Sequence, residues 1–197
     1  MGVAEVVVPP RVEEAVEDRV ADHLDVAAVD AELSPFPVVV RTVVAGRVPR
    51  LVVTAEDVGA TALTITTVRA ELEGIEIDRA ALLDGDLELE RIDRGSIEAT
   101  ISEDDLEEAL PEDVADVELT AGRVRMGVGG QMVSADAEVR DGVLALRAGG
   151  LPEVAIPLPG TELFPCALDA EVVPGAVRLG CSVDTVPQWL VRRLGGS

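Results

Sequence analysis

The chain has 197 residues, 48% of them hydrophobic, which is enough to bury a full core and excludes a wholly disordered chain. Its formal net charge is −22, and all 16 basic residues are arginine. That balance repels polyphosphate and, without a local basic surface, excludes DNA and RNA as partners.

Pro9 and Pro10 punctuate the start, after which Val12, Val16, Val20 and Leu24 recur every four residues among acids and Arg19. This spacing predicts an amphipathic helix. From Val26 to Leu33, Val29, Ala31 and Leu33 alternate with Asp30 and Glu32, as in a short strand. Ser34 can then cap a second helix, with Pro35 and Pro37 in the first turn, where no amide hydrogen is needed. The run VVVRTVV has strong β propensity by itself, but the prolines, the cap and Gly46 favour a short helix. Its apolar face would hold Phe36, Val39, Val40, Val43 and the aliphatic stem of Arg47, with Arg41 and Thr42 facing away.

From Leu51 to Ile101 the apolar period is two, with slips in phase. Leu63 and Ile65 are odd, Val68, Ala70 and Leu72 even, Ile75 and Ile77 odd again; Ile92 is even, and Ile97, Ala99 and Ile101 are odd. Such slips predict β-bulges, the second near Arg91 to Ser96, and bulges bend and twist a sheet. Glu71, Glu73, Glu76, Glu88, Glu90 and Glu98 take the opposite parity, so one face is wet and the other dry.

Ser102 and Asp105 form an acidic capping box for a helix through Leu106 and Leu110 that stops before Pro111. Val114 to Val128, Met132 to Arg147, Ala167 to Val173 and Ala176 to Val183 are strand-like, with hairpin turns at Gly129-Gly130 and Asp141-Gly142. This second half is expected to form a shorter sheet extending the first. Leu151 to Gly160 has three prolines and predicts an edge strand or a crossover. TVPQWLVRRL closes the chain as a short helix with Val186, Trp189, Leu190 and Leu194 on one side. Cys166 and Cys181 flank a hairpin whose turn is near Pro174-Gly175, and each shares the parity of the apolar set in its own strand. Nearly opposite one another, they suit either a disulfide in an oxidising compartment or two buried thiols in a reducing one.

Catalytic chemistry finds little support. His23 is the sole histidine, lysine is missing, and no pair among the many carboxylates is singled out as an acid and base. Asp84-Gly85-Asp86 and Glu103, Asp104 and Asp105 lack calcium-loop spacing and read as a polar turn and a helix start. Gly127 to Gly130 reads as a hairpin turn rather than a phosphate loop. Phe36, Phe164 and Trp189 are the only aromatics, too few to stack on sugars or bases. No apolar run reaches the ~18 residues of a membrane helix. No catalytic residue, metal or cofactor is therefore expected, and the dry face is either a solid core or a groove for acyl chains.

The amphipathic run RVEEAVEDRVADHL, then PFPVVVRTVVAGRVPRLVVTAEDV from Pro35 to Val58, then long strands, resembles the LmeA-like phospholipid-binding family of actinobacterial cell envelopes. The likeness covers most of Arg11 to Leu110. It implies an α+β fold of TULIP-like type, in which a strongly curved, bulged antiparallel sheet wraps two or three amphipathic helices around an apolar groove. It favours the helical reading of the Pro35 segment and the groove over the solid core. Lining candidates are Phe36, Val39, Val40 and Val43 with Leu51, Val53, Leu63 and Ile65 on facing strands, and Arg41, Arg47 and Arg50 are candidates for a lipid phosphate. The expected partner is phospholipid or another acyl lipid; Trp189, Leu190, Arg192 and Arg193 could form a foot for transient membrane contact, but docking of that helix on the sheet is the favoured reading.

One lipid-binding domain spans residues 1–197, with a lead-in at 1–10, a proline-rich crossover at 151–165 and a terminal helix at 185–197. Members of the family commonly carry a signal or anchor before the first helix, and MGVAEVVVPP departs from that pattern. A periplasmic or secreted location is expected if such a segment was trimmed, and a cytoplasmic one otherwise. The alternative function is a β-rich structural or interaction protein with a filled core and an acidic face for a protein partner.

Overall fold

The computed structural model describes residues 28–33, 46–60, 63–78, 80–81, 88–159, 161 and 164–195. The expected helix at 11–24, residues 35–45 of the second, His23, Arg41 and the Asp84-Gly85-Asp86 turn lie outside them.

Two antiparallel sheets form the body. β1 (Ala28–Leu33), β2 (Arg47–Ala60), β3 (Leu63–Ile77) and β4 (Leu89–Ser102) make a meander. The chain then leaves for a second meander of β5 (Val114–Thr120), β6 (Arg123–Val128), β7 (Gln131–Arg140), β8 (Val143–Ala148) and β9 (Val154–Pro157). It returns as the hairpin β10 (Asp169–Val173) and β11 (Ala176–Val183), and β11 pairs with β4. The strand orders are therefore β1-β2-β3-β4-β11-β10 and β5-β6-β7-β8-β9. The expected single sheet is replaced by two, because α1 (Glu103–Glu108) turns the chain off the end of β4 before β5 begins.

Local chemistry explains α1 well. The Ser102 hydroxyl accepts from the Asp105 amide at 3.1 Å and donates to the Asp105 carboxylate at 2.6 Å, which makes the N-cap half of the predicted capping box; the Ser102 amide donates to the Thr66 hydroxyl at 3.0 Å instead of to Asp105. The helix also reaches forward to the second sheet. The Glu103 carboxylate accepts from the Leu119 amide at 2.6 Å and that of Glu107 from the Val117 amide at 3.2 Å. These bonds satisfy amides on the open edge of β5, a place where unpaired backbone groups would otherwise invite another strand.

Two predicted boundaries shift, and one expectation holds. Val114 to Val128 divides into β5 and β6 at Ala121-Gly122, where Gly122 takes φ 75°. Arg47 opens β2 instead of lying on a helix. The proline-rich segment yields the short edge strand β9, consistent with a residue type that cannot serve a central ladder.

The slips between Leu72 and Ile75 and near Asp93 are real but differ from bulges confined to one strand, whereas the slip between Ile65 and Val68 falls where the β2–β3 ladder passes Asp57, at φ 51°. β2 and β3 keep one register from Arg47↔Glu76 to Ala60↔Leu63, and β3 and β4 keep theirs from Thr67↔Thr100 to Glu76↔Arg91. Pro49, Gly74 and Asp93 stand side by side across the three strands, and the inward-facing set changes parity in all of them along that row. A register shift occurs only beyond it, between Glu76 and Ile77. Gly74 has φ 65°, and a Cβ there would overlap the carboxylate of Asp93.

Gly74→Ala is expected to lower stability by about 2 kcal/mol or more, since a left-handed backbone alone costs an L-residue about 1–2 kcal/mol. Adding Asp93→Ala should restore the steric share and leave the backbone share, as read by urea unfolding of the two single variants and the double variant. Equal stability of Gly74→Ala and the parent chain would contradict this placement of Asp93.

Candidate functional site

Strand alternation gives the first sheet one apolar and one charged face. Its apolar face is continuous along β2, through Val48, Leu51, Val53, Ala55 and Val58, yet it is covered in two different ways. Toward the Ala60 and Leu63 ends of β2 and β3, Ala55, Val58, Leu63, Ile65, Ala99 and Ile101 join one buried cluster with α1 and the second sheet, including Leu106, Val124, Met126, Leu144 and Leu146. Toward the other end, Val48, Leu51, Val53, Ile75, Ile77 and Ile92 form a second cluster with Val186, Leu190 and Val191. These last residues belong to and precede α2 (Gln188–Gly195), which packs on β4.

The approach of α2 depends on one small residue. A Cβ on Gly95 would stand 3.1 Å from Val186 and 3.3 Å from Leu72, so glycine leaves room for the chain entering the helix. The Val186 amide donates to the Ile92 carbonyl at 3.3 Å, tying that entry to β4. The buried stripe of α2 differs from the predicted one. Leu190 and Val191 face the sheet with Leu194 half-buried beside them, whereas Trp189 is 45% exposed. Over so short a helix the stripes 186-189-190-194 and 186-190-191-194 both satisfy helical spacing, and packing selects the second.

The sequence-derived lining residues therefore separate. Leu51 and Val53, 8% and 9% exposed, belong to the cluster under α2; Leu63 and Ile65, 3% and 1% exposed, belong to the cluster filled by the second sheet. Phe36, Val39, Val40 and Val43 lie outside the described residues.

The charged face is cross-linked by ion pairs. Arg47 meets Glu76 at 2.8 Å and Asp93 at 3.4 Å, Arg50 meets Glu71 at 2.7 Å, Arg91 meets Asp93 at 2.7 Å, and Arg94 meets Glu73 at 2.9 Å. The hydrogen bond that Arg50 donates to Glu71, helped by the carboxylate's charge, raises the pKa of the Arg50 guanidinium above its ordinary value. Arg47 and Arg50 thus point away from the apolar face and already hold carboxylates. Exposed pairs of this kind each contribute about 0–1 kcal/mol, so they order the charged face more than they stabilise the fold.

Cys166 and Cys181 are joined by a disulfide, with Cα atoms 5.9 Å apart. It pins the segment returning from the second sheet onto β11, at the level where Cys181 stands opposite Ile97 of β4. The cluster Glu103, Asp104 and Asp105 serves the start of α1, in line with the polar reading of those residues. Among the described residues, no group of three or more His, Cys, Asp and Glu side chains gathers as a metal site requires. No helix among them is long and apolar enough to cross a membrane.

Residues 2–181 match a protein family described as LmeA-like phospholipid-binding. Neither the curated proteins nor the solved structures compared with the chain gave a match.

Proposed function

This chain belongs to the LmeA-like phospholipid-binding family, and we propose that it holds or transfers phospholipid in cell-envelope lipid or lipoglycan metabolism, without covalent chemistry. The observation that supports a specific location is the divided apolar face. One part is packed against a whole second sheet, whereas the part bearing Leu51 and Val53 is covered, among the described residues, by a single helix of eight. We place the acyl chains at this second part, along Leu51, Val53 and Leu72, and retain Phe36, Val39, Val40 and Val43 as sequence-based lining candidates. Leu63 and Ile65 are assigned to the core.

Desolvation supplies the affinity. Each methylene moved from water into such a site gains about 0.8 kcal/mol, so an acyl chain of ordinary length binds without a reactive group. Arg47 and Arg50 receive no head-group role, because taking a phosphate would mean releasing Glu76 or Glu71 on the opposite face. The disulfide supports an oxidising compartment such as the periplasm or the cell exterior.

Solvent extraction and mass spectrometry of the purified protein, beside a control protein of similar charge, tests the reading. Near-stoichiometric phospholipid is the expected result. No enrichment, even after incubation with mixed phospholipids, would favour a filled core and an acidic face for a protein partner.

A further inference from the structure

We propose that the outer stripe of α2, formed by Trp189, Arg192 and Arg193, is a docking surface for anionic phospholipid bilayers. The proposal rests on the phospholipid reading above and adds to it the surface through which the protein meets the membrane. Along a helix, residues three and four apart lie on one side, so these three side chains share a stripe opposite Leu190 and Val191. All three are exposed.

The stripe is chemically unusual for this chain. Trp189 is its only tryptophan and one of three exposed large hydrophobic residues among those described. Seven of the twelve described arginines, at 47, 50, 91, 94, 125, 140 and 147, are held by carboxylates. Arg192 and Arg193 form no ion pair with a described carboxylate; the Arg192 side chain donates only to the Gln188 carbonyl, at 3.4 Å. Arg69, Arg123 and Arg178 form none either, so it is the indole beside two such arginines that sets the stripe apart. Cations in a last helical turn are favoured by the helix dipole, which accounts for the arginines but not for an indole beside them. An indole flanked by guanidinium groups matches the interface of a bilayer, where the ring sits at the level of the head groups and the cations meet phosphate.

The net charge of −22 opposes adsorption of the whole molecule. At physiological salt, charges farther than about 8 Å from the contact are largely screened, so a local cationic stripe can still engage. The opposite side of the same helix covers the cluster containing Leu51 and Val53. Docking through α2 would therefore set the membrane one helix away from the proposed acyl-chain site.

With one tryptophan and no tyrosine, the unmodified protein is its own probe. Emission is recorded with vesicles of phosphatidylcholine alone and of phosphatidylcholine with phosphatidylglycerol, while lipid acquired by the re-isolated protein is measured by extraction. The expected result is a blue shift with the anionic vesicles only, and a loss of vesicle binding by more than about tenfold in Arg192→Glu/Arg193→Glu. Trp189→Ala should reduce co-flotation with the same vesicles while leaving the melting temperature unchanged, because the ring is exposed. Unchanged emission while the protein acquires lipid would overturn the docking surface and leave phospholipid binding intact. A blue shift abolished by the double variant, with no lipid acquired, would support the surface and count against the cargo reading. An equal shift with both vesicle types, insensitive to the double variant, would overturn the charge-based contact.

Discussion

Ile92→Ala and Ile101→Ala are each expected to lower stability by about 2–5 kcal/mol, the range for truncating a fully buried isoleucine where neighbours relax only in part. Both side chains are completely buried and both lie on β4, nine positions apart, but they enter different clusters. Ile101 packs among residues of α1 and the second sheet, so its loss leaves a cavity closed on every side by protein. Ile92 lies under α2, in the cluster proposed to hold acyl chains. Truncation there should change the amount of phospholipid recovered per protein, whereas truncation of Ile101 should not, provided both variants remain folded. Urea unfolding combined with lipid quantification measures both quantities. Equal effects on lipid recovery would contradict the division of labour between the clusters.

Loss of the disulfide is the second large effect. The bond spans 15 positions, and closing a loop of that size in the unfolded chain is worth about 3 kcal/mol. For a chain of this length, that corresponds to a fall of roughly 6–12 °C in melting temperature. The native ladder of the hairpin covers only Asp169 to Gly180, so the crossover preceding Leu168 depends on the bond to stay against β11. Cys166→Ser/Cys181→Ser, or reduction of the parent protein, should therefore lower the unfolding midpoint by a similar amount. A midpoint unchanged by reduction would show that the crossover is held by packing alone.

Much of the fold is legible in the sequence where the responsible chemistry is local. The Ser102 and Asp105 pair marks the start of α1 because the N-cap bond between them is made within four residues. The Gly129-Gly130 and Asp141-Gly142 turns are legible for the same reason, since positive φ is needed at each of those positions. The turn at Ala121-Gly122 left a signal as well. Val117 and Leu119 are buried at odd positions and Val124 and Met126 at even ones, so parity changes across the glycine.

What was illegible depends on partners distant in sequence. A phase slip in β3 looks the same whether one strand bulges or three change together, and only the alignment of Pro49, Gly74 and Asp93 decides between them. Alternation likewise identified the dry face of the first sheet but could not tell what covers it. Leu51 and Leu63 carry the same signal in the sequence, yet one lies beneath a short helix and the other against a second sheet. The exposure of Trp189 belongs to the same class, being decided by which side of α2 meets β4.

Cross-linking with a phospholipid that carries a photoreactive group in its acyl chain, followed by sequencing of the labelled peptides, tests the location of the lipid most directly. Label is expected on β2 around Leu51 to Val53, on β3 from Leu72 to Ile77, and on α2. Label confined to the second sheet or to the strand ends bearing Leu63 and Ile65, or saturable label nowhere in the chain, would contradict this placement.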